Sequence, residues 1–184
     1  MAWAFADLWD RALTWQQFLD AASANRELWI GVHRLARVPE WAVDEAAKLD
    51  GRFRLMVLAE DWCGDASNTV PVLAKWAELV PNVELRILRR DEHPEVMDRY
   101  LTDGTSRSIP VVIVLTDTME ELGWWGPRPR ALQRWSMEQL AQGREKKELY
   151  PDVRRWYAKD RGETTLREVL AVMAGAAHVE GVPT

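Results

Sequence analysis

The segment from Leu55 to Pro71 constrains this chain most, because it places the only cysteine between a buried strand and a helix. Residues 53–59 are almost entirely apolar, a pattern typical of a central strand. Residues 64–79 carry apolar side chains at helical spacing and predict a helix, kinked at its proline. Cys63 therefore starts a helix, where unpaired N–H groups and the helix dipole favour an anion. The segment predicts a reactive cysteine with a lowered pKa.

Composition limits the class of protein and its partners. The chain has 184 residues, of which 47% are hydrophobic, so it can build a substantial core. Its net charge of -5 argues against nucleic acid or an anionic membrane as the main partner. A single cysteine excludes an intrachain disulfide, and residues 1–10 lack the basic region of a signal peptide. We therefore expect a cytoplasmic protein.

Helical patterns flank a central region of strands. Residues 3–24 predict one or two helices, the second starting at a Thr14–Gln17 capping box. Asn25 and Pro39 each mark the start of another helix. Towards the C-terminus we expect helices over 130–142, over 145–159 with a break near Pro151, and over 166–175 with a Thr165–Glu168 capping box.

Three further strands are predicted, over 83–88, 111–115 and 122–125, with a short helix over 94–101. This order indicates an α/β fold with a central mixed sheet of about four strands. The first two strands are expected to be parallel and the last two antiparallel. We interpret 1–184 as one domain, with a helical N-terminal extension (1–50), an α/β core (52–142) and a helical C-terminal extension (143–184).

Five spaced motifs resemble those of the thioredoxin family and imply a thioredoxin fold. They are Trp62-Cys63-Gly64-Asp65-Ala66 in place of Trp-Cys-Gly-Pro-Cys, the helix proline Pro71, the Asp91–Pro94 turn, Arg107-Ser108-Ile109-Pro110, and Gly126 after the last strand. The resemblance implies a cis peptide bond before Pro110, facing the cysteine. It also implies that the backbone of Ile109 pairs with an extended peptide or thiol ligand.

The departures from the family pattern concern the second thiol. Ala66 stands where thioredoxins have their second active cysteine, and Val57 and Ile87 stand where they have a buried aspartate and its lysine partner. The buried acid assists deprotonation of that second cysteine, and without the cysteine an unpaired buried charge only costs stability. The resemblance therefore implies a protein with no resolving thiol of its own.

Several residues near Cys63 have two interpretations each. Cys63 is a nucleophile or a small packing residue, and we favour the nucleophile. Asp65 is interpreted as a helix N-terminal cap rather than a proton-transfer group, although its charge opposes thiolate formation. Glu60 is a general base or a hydrogen-bonding group at the end of a strand. Arg107 stabilises a thiolate or binds a substrate carboxylate, or is simply a solvated surface residue.

Two functions follow from these residues. The first is a thiol–disulfide oxidoreductase in which Cys63 attacks a protein or small-molecule disulfide, and an external low-molecular-weight thiol, acting as co-substrate, resolves the product. The second is a non-catalytic binding module for a peptide or protein. The substrate-binding residues are predicted to be Trp62, Asp65, Arg107, Ile109 and Pro110. The binding module would use the cleft around Trp62, Arg107 and Pro110. The three histidines are far apart in sequence, so we assign no metal site and no resident cofactor.

Overall fold

A mixed five-stranded sheet forms the centre of the protein. The computed structural model describes residues 5–175 and the backbone of 179–180. The strands are β1 (Phe53–Ala59), β2 (Val83–Arg89), β3 (Val111–Thr116), β4 (Glu121–Gly126) and β5 (Val179–Glu180). Their spatial order is β2-β1-β3-β4-β5. As expected, β1 runs parallel to β2 and β3 runs antiparallel to β4. β1 also pairs with β3, in the antiparallel direction. The two-residue β5, parallel to β4, was not predicted.

Helices account for most of the remaining chain. Their bounds are α1 (Phe5–Arg11), α2 (Trp15–Ala21), α3 (Arg26–Leu35), α4 (Glu40–Ala47), α5 (Gly64–Leu79), α6 (Pro94–Met97), α7 (Arg130–Ala141), α8 (Lys146–Asp160) and α9 (Glu163–Met173). Residues 3 and 4, where we expected the first helix to begin, lie outside the described residues. Of the described helices, none combines the length and apolarity needed to cross a membrane.

The central strands β1 and β3 are buried along almost their whole length. Their continuous apolar sequence fits this position, because a strand covered on both faces needs no polar face. Val57 pairs in register with Ile87 on β2, and both are fully buried. Two of the positions that depart from the thioredoxin pattern are thus partners on neighbouring strands, and both are apolar and lie in the core.

The N-terminal helices are part of the main core. Phe18 and Trp29 are fully buried, and their rings lie 4.7 Å apart between centroids. The backbone of Leu13 exchanges hydrogen bonds of 2.8 Å with that of Ile87 on the edge strand β2. On the other side, the Trp76 indole N–H donates to the carbonyl of Ala42. These contacts fix α1–α4 to the sheet and to α5.

The C-terminal helices pack in two ways. Helix α9 joins the main core through Leu166, Val169 and Val172. Helices α7 and α8 form a smaller cluster of their own around Leu132, Leu149, Val153 and Tyr157. The turn between α8 and α9 requires a glycine, because a Cβ on Gly162, at φ +83°, would lie 2.6 Å from Val72 of α5.

Several helix boundaries differ from expectation. Helix α5 runs unbroken through Pro71 and α8 through Pro151, so the break predicted at Pro151 is wrong. The Thr14–Gln17 capping box is confirmed, with both reciprocal hydrogen bonds present. The Thr165–Glu168 capping box is wrong, because α9 already starts after Gly162.

The residues of the two misassigned caps have other roles. Glu168 accepts hydrogen bonds from the Trp125 indole and the Arg130 backbone N–H instead of capping α9. Asn25 precedes α3 without capping it, since its side chain donates to the carbonyl of Asp61. In both places a tertiary partner outcompetes the local hydrogen bond that the sequence pattern predicts.

Candidate functional site

Cys63 is the N-cap of α5, as the sequence predicts. Its Sγ accepts a hydrogen bond from the backbone N–H of Ala66 at 3.5 Å. The same thiol donates to the carbonyl oxygen of Ile109, also at 3.5 Å. The side chain therefore connects the first turn of α5 to the loop that precedes β3. Only 8% of the residue is exposed, so the thiol is close to the surface but nearly covered.

The electrostatic environment of this thiol differs from the sequence-based expectation. The pKa of Cys63 is raised from 9.0 to about 11, chiefly because the thiol is buried, and the charge of the Asp65 carboxylate acts in the same direction. The Ala66 N–H and the positive charge of Arg128 act in the opposite direction without cancelling the effect of burial. The predicted lowering of the pKa is therefore wrong. The helix terminus does stabilise a thiolate, but desolvation outweighs it.

Asp65 takes part in a partly buried ion pair that the sequence did not predict. Its carboxylate accepts from Arg128 at both oxygens, at 2.8 Å from Nε and 2.7 Å from Nη2. The hydroxyl of Tyr157 donates to Asp65 Oδ1 at 2.8 Å. No hydrogen bond within the described residues joins this carboxylate to a backbone N–H, so the cap interpretation is wrong. We call these three residues the Asp65 cluster.

The Asp65 cluster joins three parts of the chain beside Cys63. Asp65 lies on α5, Arg128 follows β4, and Tyr157 belongs to α8. The two charged side chains are about one fifth exposed or less. A carboxylate that is largely removed from water needs such partners, because a charge without a partner there destabilises the fold. Asp65 stands at the position where thioredoxins have a proline. The two hydrogen bonds from Arg128 stabilise a carboxylate at this position, two residues after Cys63.

Glu60 and Asp61 are buried at the end of β1 and hold neighbouring segments in place. Glu60 accepts from Arg89 at 3.2 Å and from the backbone N–H of Asp91 at 2.9 Å, so it is a hydrogen-bonding group at the end of a strand. Asp61 Oδ2 accepts from the backbone N–H of Ser23 at 2.7 Å. The indole of Trp29 donates to the carbonyl of Asp61 at 2.9 Å. The N-terminal extension therefore fixes the turn that precedes Cys63.

The loop opposite Cys63 has the conformation that the resemblance implied. The peptide bond between Ile109 and Pro110 is cis, and so is the bond between Gly126 and Pro127. The two loops touch at Gly126, whose φ is +139°. A Cβ there would lie 2.1 Å from the carbonyl oxygen of Pro110, so only glycine fits. This close approach holds the carbonyl of Ile109 beside Sγ.

Trp62 and Arg107 lie on the outer side of the site. Trp62 is 50% exposed, and the guanidinium of Arg90 lies 5.1 Å from its ring centroid. Arg107 forms a bidentate ion pair with Asp98, at 2.7 and 2.8 Å. A polar cleft of about 180 Å³ lies between Arg90 and Arg107. The arginine whose charge acts on Cys63 is Arg128, so a thiolate-stabilising role for Arg107 is not supported, whereas ligand binding stays a prediction for it.

A buried alanine occupies the position where thioredoxins have their second cysteine. Ala66 is fully buried beneath Cys63, and Cys63 is the chain's only cysteine. Across the residues that the structure describes, no group of three or more His, Cys, Asp or Glu side chains could hold a metal ion. His178 lies outside those residues. The site can bind a ligand against Ile109 and Trp62 and offer it one sulfur.

Two members of the Asp65 cluster were missed at the level of sequence. Arg128 lies in the Gly126–Pro129 turn, a motif that stands out in the sequence, but nothing local indicates that its partner is 63 positions away. Tyr157 is 92 positions from Asp65 and carried no signal of its own. The signal that was present was Asp65 itself, because a carboxylate beside a cysteine at a helix start needs a counterion.

Comparisons with known proteins agree with this fold. A thioredoxin family model matches residues 12–144, most of the chain. No curated protein matches. A crystal structure of a protein of unknown function from Pseudomonas aeruginosa is 25% identical, with a TM-score of 0.75 and coverage of 96% of this chain and 100% of that one. An HIV epitope scaffold is 22% identical, with a TM-score of 0.74 over 95% and 100% of the two chains. Together with the geometry of the cysteine and its facing loop, the family match shows that the chain belongs to the thioredoxin family.

Proposed function

We propose that the protein carries out thiol–disulfide exchange with Cys63 as its only reacting group. The observation that supports this best is the position of Sγ, between the N–H of Ala66 and the carbonyl of Ile109. The helix N–H stabilises negative charge on the sulfur when the proton leaves. In this proposal the backbone of Ile109 pairs with an extended ligand, and the half-exposed ring of Trp62, the residue before Cys63, offers it an apolar surface.

The proposed cycle has two exchange steps and no net oxidation of Cys63. The thiol of Cys63 gives its proton to solvent, and Sγ attacks a disulfide R–S–S–R′, forming Cys63–S–S–R and releasing R′S⁻, which takes up a proton. An external thiol R″SH, as its thiolate, then attacks the sulfur of R. This step forms R″–S–S–R and releases Cys63, which is protonated again. Because Ala66 offers no sulfur, the second step depends on the external thiol.

The raised pKa of Cys63 determines which ligands can react with it at a useful rate. With a pKa of about 11, almost all of Cys63 is a neutral thiol at neutral pH. The resting protein should therefore react slowly with free small molecules. Exchange requires a ligand that docks against Trp62 and Ile109 and holds its disulfide at Sγ, so that proximity compensates for the small thiolate fraction. A reducing compartment such as the cytoplasm would supply the external thiol, and we place the protein there on the basis of its single cysteine.

Turnover of a peptide–glutathione mixed disulfide in the presence of excess glutathione tests the proposal. We expect the protein to accelerate release of the peptide thiol, and intact mass to show a glutathione adduct on Cys63. Cys63→Ser should abolish both. The matched control is Glu138→Cys in a Cys63→Ala background, which moves the only thiol to an exposed position on α7. If the wild type is no faster than this control, Cys63 is not an exchange catalyst.

The raised pKa also favours a second candidate function, a binding module that retains the cleft but not the chemistry. In that case Cys63 is a small buried side chain, and Trp62, Arg107 and Ile109 hold an extended peptide. Cys63→Ala would then bind the same peptides with unchanged affinity. Turnover by the wild type that Cys63→Ser removes would exclude this alternative.

A further inference from the structure

A groove away from Cys63 has the volume and lining of a small-molecule site. It measures about 710 Å³ and lies between α3 and the end of α8, over α5. Ligand sites in proteins fall in the range of roughly 300–1,000 Å³ and are mostly apolar with a few polar groups. The residues that give this groove its character are Leu28, Gly31, Val32, Leu35, Arg37 and Arg161.

One wall of the groove is an apolar stripe on α3. Leu28, Gly31, Val32 and Leu35 have the i, i+3, i+4, i+7 spacing of one helix face. Leu28 is 43% exposed and Leu35 is 72% exposed, which is unusual for leucines that border a cavity. A Cβ on Gly31 would meet nothing within 4 Å, so the groove is open above that residue. The stripe therefore offers apolar surface with a gap that an apolar ligand can fill.

The directions of α3 and α8 determine which residues lie at the same end of the groove. Helix α3 runs alongside α5 in the same direction, because Trp29 contacts Asp61 before α5 begins and His33 contacts Glu78 near its end. Helix α8 follows the same direction, since Tyr157 contacts Asp65 at the start of α5 and the turn after α8 packs on Val72.

Arg37, after α3, and Arg161, after α8, therefore lie towards the same end of the groove. The described residues provide no carboxylate partner for either guanidinium. Glu27, the only acidic residue of the lining, is at the other end and 3.6 Å from Arg26. A ligand for this groove needs a negative group at one end and an apolar body along α3.

We propose that this groove binds an amphipathic organic anion, with a carboxylate between Arg37 and Arg161 and an apolar chain along Leu35, Gly31 and Leu28. A free small molecule is favoured over a partner protein's helix because the volume is that of a small-ligand site and the counterions it provides are two arginines at one end. The inference goes beyond thiol–disulfide exchange and does not depend on it, since Cys63 is not among the residues that line the groove.

Calorimetric titration of the full chain with decanoate, with decanol as the neutral match, tests the assignment. We expect decanoate to bind and to raise Tm, because a ligand that binds only the folded state stabilises it. Decanol should bind at least about tenfold more weakly, since it lacks the charge-assisted contacts. Cys63→Ser should bind decanoate as the wild type does.

Three variants separate the apolar and charged parts of the site. Gly31→Leu fills the open space without disturbing the helix and should abolish binding. Arg37→Ala, and Arg161→Asn, which suits the positive φ of +56° at that position, should each weaken decanoate about tenfold or more and leave decanol unchanged. Arg134→Ala, on the exposed face of α7, is the matched control and should bind normally.

Equal binding of decanoate and decanol, or binding that Gly31→Leu leaves unchanged, would overturn the proposal. So would the absence of both heat and a Tm shift up to the solubility of decanoate. A concentration-dependent dimer that Leu35→Asp dissociates would assign the groove to a second copy of the chain and would equally overturn it.

Discussion

Alkylation of Cys63 as a function of pH separates the two opposing influences on this thiol. The helix N-terminus alone would lower its pKa, whereas the structure gives a pKa of about 11 against an ordinary 9.0. Two pKa units correspond to about 3 kcal/mol in favour of the neutral thiol. At any pH well below 9, the thiolate fraction should thus be about one hundredth of that of an ordinary cysteine. Burial of the sulfur should reduce the rate further.

The assay follows iodoacetamide modification by intact mass at a series of pH values, with circular dichroism confirming that the chain stays folded. We expect the logarithm of the rate constant to rise with unit slope beyond pH 10. The control, Glu138→Cys in a Cys63→Ala background, carries an exposed thiol and should level off near pH 9. The urea-unfolded wild type should behave like the control. A native profile that levels off below pH 8.5, at a rate similar to the control, would refute the conclusion that burial dominates at Cys63.

Four further predictions concern stability and the Asp65 cluster. Because a raised thiol pKa gives stability that is full below pH 9 and is lost as pH rises towards 11, the wild type should lose up to about 3 kcal/mol of unfolding free energy relative to Cys63→Ala over that window, measured by urea unfolding. Asp65→Asn and Arg128→Met should each cost about 1–3 kcal/mol of unfolding free energy, since each leaves a partly buried charge without its ion-pair partner. The same two variants should shift the pKa of Cys63, read from its alkylation profile, in opposite directions. Asp65→Asn should lower this pKa and Arg128→Met should raise it, and equal shifts would contradict the assigned electrostatics. Gly126→Ala should lower the free energy of unfolding by more than about 2 kcal/mol. The matched control is Gly64→Ala, which should leave that free energy nearly unchanged because a Cβ there meets no other atom. Ala66→Cys should form a disulfide with Cys63, seen as a loss of two hydrogens by mass spectrometry, and a persistently reduced pair would argue against the inferred geometry of the missing thiol.

The fold was largely predictable because its signals are local. Apolar runs and turn residues located four of the five strands and their relative directions. Two of the exceptions have a common cause. The sequence predicted a capping box at Thr165 and a break at Pro151, but α9 starts earlier and α8 continues, because tertiary contacts outweigh local preference. The short β5 has too few residues to carry a pattern.

The sequence by itself determined where the cysteine lies and that the chain has no second thiol. Cys63 at a helix start, with Ala66 in the first turn, is a local arrangement, and helix propensity and helix-terminus effects act over a few residues. Only the tertiary structure decided the chemical state of that cysteine. Its burial depends on the Ile109 loop, and the charge of Asp65 is held by Arg128 and Tyr157 from distant parts of the chain. Desolvation and ion pairing depend on what surrounds a group in space, so the sign of the pKa shift at Cys63 became visible only when these segments were brought together.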